Sequence, residues 1–125
     1  MPQPAPWIAV VDDEESVRHA LGRLIRAAGF DVETFSSGAE FLLSGHRRSP
    51  DCVVLDLRMP QVSGFHVQEA LGEAGNPPPV IVVTGDHSAE SSARALARGA
   101  HAYLRKPVDE STLLDAIHTA IGARS

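Results

Sequence analysis

The chain has 125 residues, of which 43% are hydrophobic and 22% charged, and its formal net charge is −5 at pH 7. This length and composition predict one folded globular domain and argue against disorder. A nucleic-acid-binding surface would need clustered Lys and Arg, and the only basic cluster, Arg47-Arg48, is interpreted as a solvated loop. The single cysteine, Cys52, excludes an internal disulfide and is predicted to be a small buried hydrophobe.

The first six residues, Met1 to Pro6, include three prolines and no apolar core. They match neither a signal peptide nor a membrane span, so we expect a flexible tail over residues 1–6 and a cytoplasmic protein that does not contact membranes. Residues 7–122 are predicted to form the domain, and residues 123–125 its C-terminal end.

The chain then begins with a β-branched run followed by a helical pattern. Trp7 to Val11 predicts the first strand, and the first helix is predicted from about Ser16 to Ala28. Gly29 follows it as a C-terminal cap would. The buried stripe of this helix is predicted to contain Val17, Leu21, Leu24, Ile25 and Ala28.

The next units are shorter. Asp31 to Phe35 alternates apolar and polar side chains, which is typical of a half-covered edge strand. Ser37-Gly38-Ala39-Glu40 fits a capping box that opens a second helix with Phe41, Leu42 and Leu43. Ser49-Pro50 breaks the chain before a third strand, Cys52 to Leu55, which ends directly before Asp56.

A third helix is predicted from about Phe65 to Ala74, closed by Gly75. The proline-rich residues 76–79 form a stiff connector into a fourth strand, Val80 to Val83, which is followed by Thr84. A fourth helix is predicted from about Ser88 to Arg98 and ends at Gly99. Its apolar side is predicted to be Ala93, Leu96 and Ala97.

The fifth strand is predicted from Ala102 to Arg105, and the last helix from Asp109 to Ile121 with Leu113, Leu114, Ile117 and Ile121 facing inward. Alternating strands and helices predict an α/β fold, a three-layer sandwich around a parallel sheet. The fourth helix presents mostly alanine, and each missing methylene forfeits about 0.8 kcal/mol of burial. We therefore expect this helix to shift at low cost.

Polar groups follow the predicted strands at the edge where parallel sheets bind ligands. Asp12 and Asp13 follow the first strand, Asp56 the third, and Lys106 the fifth. If the first and third strands are neighbours, the three aspartates converge, and carboxylates about 5 Å apart repel by roughly 3 kcal/mol per pair at an effective dielectric of 20. A cation that prefers oxygen ligands relieves this repulsion.

Magnesium suits a site of few carboxylates plus waters, and Mn²⁺ is the alternative metal. A zinc site is not expected, because no two of the six histidines stand three to five residues apart. Lys106 adds a positive charge to the same edge, and the Thr84 hydroxyl can donate a hydrogen bond to an incoming oxyanion.

Four segments together resemble the signature of the two-component response-regulator receiver domain, a CheY-like family. The resemblance covers about Trp7 to Ile121, and its third-strand and last-strand motifs are most similar to FixJ-type receivers. The segments are Val10-Val11-Asp12-Asp13-Glu14, Val53-Val54-Leu55-Asp56-Leu57-Arg58-Met59-Pro60, Val82-Val83-Thr84-Gly85 and Tyr103-Leu104-Arg105-Lys106-Pro107.

The resemblance implies a (βα)₅ flavodoxin-like fold with strand order 2-1-3-4-5. It implies that Asp56 accepts a phosphoryl group from a phosphohistidine of a sensor histidine kinase. Asp13 would bind Mg²⁺ directly and Asp12 through water, while Asp56 and the backbone carbonyl of Arg58 would complete the protein's share of the metal ligands. Such a domain is a signalling phosphoacceptor rather than an enzyme acting on external substrates.

The resemblance also implies that Thr84 and Lys106 hold the phosphoryl oxygens, that the Lys106–Pro107 peptide bond is cis, and that Thr84 and Tyr103 form a coupled switch. The output face would comprise the fourth helix, fifth strand and fifth helix. On phosphorylation this face would form a homodimer or control an output domain or partner, with transcription regulation the expected result.

Simpler interpretations stay open at this point. The Asp12-Asp13 pair could cap a helix, and Tyr103 could be an edge aromatic that packs on the last helix. Arg58 and Asp86 each lie two residues beyond a pocket residue; we interpret them as solvated charges, the alternative being a contact across the pocket mouth.

The same residues argue against two other functions. A haloacid-dehalogenase-type phosphatase needs a second acid two residues after its nucleophile, where this chain has Arg58. A flavin-binding carrier needs a phosphate loop after the first strand, where Asp12-Asp13-Glu14 would repel a phosphate. A stand-alone relay, or a degenerate receiver that acts only as an interaction module, is the alternative function.

Overall fold

The computed structural model describes residues 5–44, 49–73 and 75–124, so the Arg47-Arg48 cluster, Ala74 and residues 1–4 and 125 lie outside the described part. One parallel sheet has the order β2-β1-β3-β4-β5, which confirms the expected (βα)₅ fold. The strands are β1 (Trp7–Val11), β2 (Asp31–Phe35), β3 (Cys52–Leu55), β4 (Val80–Thr84) and β5 (Ala102–Arg105). The helices are α1 (Glu15–Ala27), α2 (Gly38–Leu42), α3 (Gly64–Gly72), α4 (Ala89–Ala97) and α5 (Glu110–Arg124).

Two hydrophobic clusters cover the two faces of the sheet. Every residue of β1, β3 and β4 is buried, because their side chains alternate between these clusters. Ala9, Val53 and Val82 pack on the face that includes Ala95 of α4. The opposite face is covered by α1 and α5, through Leu21, Ile25, Leu113 and Ile117. Cys52 is fully buried there, as predicted, and burial raises the pKa of its thiol to about 12.

Helix α1 begins and ends one residue earlier than predicted. Leu21 and Ile25 are buried, and Val17 and Leu24 pack against them, as expected. Ala28 is wrong as a stripe member: it is exposed because it is the C-cap, where the helix has ended. Gly29 follows with φ +99°, the left-handed conformation that favours glycine at a helix end.

The capping box predicted at the second helix is only half present. Ser37 Oγ accepts a hydrogen bond from the Glu40 amide at 3.0 Å, but the Glu40 carboxylate binds the amide and hydroxyl of Ser36 instead of the Ser37 amide. Leu42 and Leu43 are exposed. The reciprocal capping box is at α3, between Ser63 and His66, and α3 ends at Gly72 with Glu73 as C-cap, before the predicted Ala74.

The apolar side predicted for the fourth helix is wrong. Ala95 is the residue of α4 that is buried, whereas Ala93, Leu96 and Ala97 are exposed. Leu96 is 48% exposed although it has the largest apolar side chain in the helix. The expectation that α4 gains little from apolar burial is confirmed, because Ala95, with a single methyl side chain, is the buried residue of this helix.

Helix α5 runs past the predicted end at Ile121 to Arg124, so residues 123 and 124 continue the helix. It begins at Glu110, one residue after Asp109, whose carboxylate accepts a hydrogen bond from the Thr112 amide at 3.0 Å. Leu113 and Ile117 are fully buried, and Leu114 and Ile121 are half-buried. Among the described residues, no helix combines the length and apolar character that crossing a membrane requires.

Candidate functional site

Three carboxylates meet at the carboxyl ends of β1 and β3. The two strands are paired with Val11 opposite Leu55, and the Asp56 amide donates to the Val11 carbonyl at 3.0 Å. One carboxylate oxygen from each of Asp12, Asp13 and Asp56 lies within 4.8 Å of the others. The sequence placed these residues at one edge of the sheet, and the structure brings them together.

Gly64 lets the chain fold tightly behind Asp56. A side chain at this position would overlap the Asp56 carbonyl oxygen and lie 2.7 Å from Leu57 Cα. The Gly64 amide also donates to the Leu57 carbonyl at 3.0 Å. The start of α3 can therefore pack directly on the backbone that carries Asp56, because glycine has no Cβ.

Lys106 reaches the carboxylates from the end of β5. Its Nζ lies 2.9 Å from Asp12 Oδ2, 3.4 Å from Asp56 Oδ2 and 3.2 Å from Glu14 Oε1. Its amide donates to the Thr84 carbonyl at 2.9 Å, and the Lys106–Pro107 peptide bond is cis. Glu14 was not singled out from the sequence, because its contact joins positions 92 residues apart along the chain.

The electrostatics of the pocket follow from burial and pairing. Burial raises the pKa of the Asp12 carboxyl, although the Glu14 amide and Lys106 stabilise its charged form. Burial opposes the charge of Lys106, but its hydrogen bond to Asp12 and the charges of Asp56 and Asp12 outweigh burial and raise the pKa of its ammonium. One ammonium thus sits among several carboxylates, and the pocket retains unbalanced negative charge.

The donor set fits a hard divalent cation. Carboxylate oxygens are the ligands that Mg²⁺ prefers, and it takes few of them together with waters. Asp13 is exposed and can offer its oxygens directly. Both oxygens of Asp12 are already engaged, Oδ1 with the Glu14 amide at 2.9 Å and Oδ2 with Lys106. Both oxygens of Asp56 are engaged in the same way, Oδ1 with the Arg58 amide at 3.2 Å and Oδ2 with Lys106 at 3.4 Å.

Thr84 and Tyr103 are joined through Asp86. The buried Thr84 hydroxyl accepts a hydrogen bond from the Asp86 amide at 3.3 Å, and the Tyr103 hydroxyl donates to the Asp86 carbonyl at 2.7 Å. Tyr103 packs against the cluster that contains Ala95 of α4. The interpretation that Tyr103 packs on the last helix is therefore wrong.

The Asp86 side chain organises the start of α4. Its carboxylate accepts hydrogen bonds from Ser91 Oγ at 2.6 Å and from the Ser88 amide at 2.9 Å. The bonds from Ser91 and Ser88 lower the pKa of the Asp86 carboxyl. No sign in the sequence, beyond helix capping, indicated that Ser88 and Ser91 would bind Asp86. Their role depends on how the loop after β4 folds back toward α4.

Arg58 and Asp86 do meet across the mouth of the pocket. Arg58 Nη2 and Nε lie 3.3 and 3.4 Å from Asp86 Oδ2, so the interpretation of two separate solvated charges is wrong. The Arg58 side chain is 73% exposed, whereas that of Asp86 is 9% exposed. An ion pair with one exposed partner stabilises little, but it joins the loops that follow β3 and β4.

Comparisons with known proteins identify the class. The family model of the response regulator receiver domain matches residues 8–118, so this chain belongs to the response-regulator receiver family. Receiver domains are signalling domains of two-component systems, and many relatives are transcriptional regulators, which agrees with the resemblance seen in the four motifs.

Individual relatives support this assignment. The transcriptional regulatory protein TdiR of Thauera aromatica is 41% identical over 117 residues, covering 94% of this chain and 52% of TdiR. FixJ of Azorhizobium caulinodans is 34% identical over 122 residues, covering 98% of this chain and 57% of FixJ. The chain therefore spans about half the length of these relatives. A CheY-like receiver structure from Methanospirillum hungatei superposes with a TM-score of 0.90 at 26% identity, covering 97% of both chains.

Proposed function

We propose that this domain accepts a phosphoryl group on Asp56 from the phosphohistidine of a sensor histidine kinase. A carboxylate oxygen of Asp56 attacks phosphorus, the phosphorus–nitrogen bond breaks, and the imidazole leaves as an aspartyl phosphate forms. The observation that carries the proposal is the position of Asp56, which is 4% exposed at the end of β3, within reach of Lys106 and beside two further carboxylates. The domain is proposed to occupy residues 7–122 of a cytoplasmic protein.

The residues around Asp56 suit phosphoryl transfer, in which positioning and positive charge supply most of the catalysis. Asp13 and Asp56 directly, Asp12 through water and the Arg58 backbone carbonyl are proposed to hold Mg²⁺, with Mn²⁺ as substitute. When bound, the cation neutralises negative charge on the carboxylates and on the phosphoryl oxygens. Lys106 and the Thr84 hydroxyl are proposed to bind those oxygens.

The phosphorylated state is proposed to alter the face formed by α4, β5 and α5. If the Thr84 hydroxyl turns toward a phosphoryl oxygen, it gives up the bond it accepts from the Asp86 amide. Asp86 also holds Tyr103 and the first turn of α4, so a change at Thr84 reaches both. A phosphoryl group brings about two negative charges and new acceptor oxygens, which is enough to reorder such a loop.

The same face is proposed to form a homodimer or to control an output domain, with transcription as the regulated process. The exposed apolar residues of α4, Ala93, Leu96 and Ala97, offer contact surface for either partner. Light scattering with and without beryllofluoride tests this: the mass should double with the analogue, and an unchanged monomer mass would remove the dimer from the proposal.

A phosphate analogue tests the phosphoacceptor role. Beryllofluoride with Mg²⁺ should raise the melting temperature of the wild-type chain, by about 8 °C at 100 times the dissociation constant. Asp56→Asn removes the nucleophile's charge at nearly constant volume and should abolish the rise. A rise that persists in Asp56→Asn, or no rise in the wild type, would contradict the proposal.

A further inference from the structure

Helix α1 carries a basic groove on the side that faces β2. The groove has a volume of about 310 Å³ and is lined by Arg18, His19, Arg23, Arg26 and Thr34. Its arginines are spread along the sequence, but residues three, four, seven or eight positions apart share one face of a helix. The fold therefore gathers positive charge at one place on a chain whose formal net charge is −5.

The three guanidinium groups of this groove are not neutralised by carboxylates. Arg18 Nη1 donates to the Asp12 carbonyl at 2.8 Å, and Arg26 Nη2 donates to the Val32 carbonyl at 3.2 Å, so both acceptors are neutral backbone oxygens. Arg23 has neither a hydrogen bond nor an ion pair within the described part of the chain. Each guanidinium group has five N–H donors, so most of the donors remain available.

The walls of the groove are in place before anything binds. Gly22 is buried between α1 and β2, and a Cβ at this position would lie 3.3 Å from Thr34 Cγ2 and 3.5 Å from Arg26 Nη1. Because glycine has no side chain, Arg26 can cross from the helix to the Val32 carbonyl of β2. Two of the three guanidinium groups are thus held by the fold, which reduces the cost of ordering them on binding.

Stabilisation of the helix explains Arg26 but not the rest of the groove. Arg26 lies in the last turn of α1, where a cation interacts favourably with the helix dipole. Arg18 lies near the opposite end, where the dipole disfavours a cation. The Glu40 carboxylate interacts with the charge of Arg18 only at longer range, because it is bonded to the hydroxyl of Ser36 at 2.6 Å.

We propose that this groove is a docking surface for an acidic segment of a partner protein, whose Asp or Glu side chains pair with Arg18, Arg23 and Arg26. The fork of a guanidinium group matches a carboxylate bidentately. A short segment meets mainly the local field of the groove, because charges are screened beyond about 10 Å at 0.1 M salt. A second copy or a long nucleic acid also meets the rest of a chain with net charge −5, which repels it. The proposal does not depend on the phosphoacceptor role.

A hexaglutamate peptide tests the proposal by ¹H–¹⁵N NMR titration of the whole chain at low ionic strength. Shift changes should concentrate in α1 and β2. Arg23→Gln should raise the dissociation constant about two- to fivefold, the range for loss of one exposed ion pair. Arg105→Gln is the matched control: it removes the same charge from an exposed arginine on β5, at the opposite edge of the sheet, and should change the constant less than about twofold.

Salt and other anions separate docking from general charge attraction. About 1 M NaCl shortens the screening length to about 3 Å and should remove the shifts. Absence of binding at low ionic strength, or equal weakening in Arg23→Gln and Arg105→Gln, would overturn the proposal. Tighter binding of inorganic phosphate or of a DNA duplex to the same amides would also overturn it, in favour of a small anion or a nucleic acid. Self-association in light scattering that Arg23→Gln abolishes would overturn it in favour of a second copy.

Discussion

Helices α1 and α4 cover opposite faces of the same sheet, and different kinds of contact hold them. Helix α1 buries Leu21 and Ile25 in a continuous apolar cluster. Helix α4 buries Ala95 and is otherwise held by directional contacts. Gln68 Nε2 donates to the Ala95 carbonyl at 3.1 Å, Ser91 bonds to Asp86, and the Arg94 guanidinium lies 3.9 Å from the centre of the Phe65 ring.

The contrast indicates which of the two helices can shift when the pocket residues change their contacts. Apolar burial is non-directional and large, so α1 is a fixed support for the loop that carries Asp12 and Asp13. The contacts of α4 depend on the geometry of the Asp86 loop, and Asp86 is bonded to Thr84 at the pocket. Gln68 Oε1 is buried without a hydrogen-bond partner among the described residues, a further sign that this packing is not optimised.

Truncating one apolar side chain in each helix gives the largest expected difference. Ile25→Ala should lower the free energy of unfolding by about 2–5 kcal/mol, because it leaves a cavity in the core. Leu96→Ala should change it by about 0.5 kcal/mol or less, because half of Leu96 is exposed. Urea unfolding followed by circular dichroism measures both values. Similar decreases in the free energy of unfolding for the two variants would contradict the contrast between α1 and α4.

A smaller, local effect is expected from Asp86→Asn. The neutral side chain weakens the bonds from Ser88 and Ser91, so amide hydrogen exchange in the first turn of α4 should become severalfold faster while α1 is unchanged. Asp109→Asn is the matched control, since Asp109 makes similar bonds to Ser111 and Thr112 at the start of α5. If Asp109→Asn speeds exchange in α4 equally, Asp86 does not hold that helix.

The pH dependence of amide protection in Asp86→Asn tests whether the charge of the Asp86 carboxylate holds the start of α4. The folded-state pKa of Asp86 is below its usual value of 3.8. The stability it contributes is therefore fully present above about pH 4 and is lost as the pH falls through the lower folded-state value. The difference between wild type and Asp86→Asn in amide protection should be constant from pH 6 to 8 and shrink below about pH 4. A difference that grows on acidification would contradict the charge of Asp86 as its cause.

The elements that carry the pocket could be predicted from the sequence because they have strong signals. The all-apolar runs of β1, β3 and β4 end directly before or at the polar residues, and parallel strands bring those ends to one edge. Helix α4 could not be oriented in this way. It has four alanines and one larger apolar residue, Leu96, so Leu96 suggested a stripe that the packing of Ala95 against the sheet does not follow.

Contacts between loops were harder to predict, and the sequence offered the contact of Arg58 with Asp86 only as an alternative. Arg58 with Asp86 and Glu14 with Lys106 join residues 28 and 92 positions apart, and their meeting depends on loop conformations that no periodicity describes. The Asp56 position needed no such detail, because a strand end determines it. The roles of the pocket residues stay predictions until they are measured.

The most direct measurement is the intact mass of the folded protein after incubation with acetyl phosphate and Mg²⁺, with peptide mapping of the modified residue. The account predicts the mass of one added phosphoryl group, located on Asp56, and none in Asp56→Asn. An unmodified wild-type chain, or a phosphoryl group on another residue, would contradict the account.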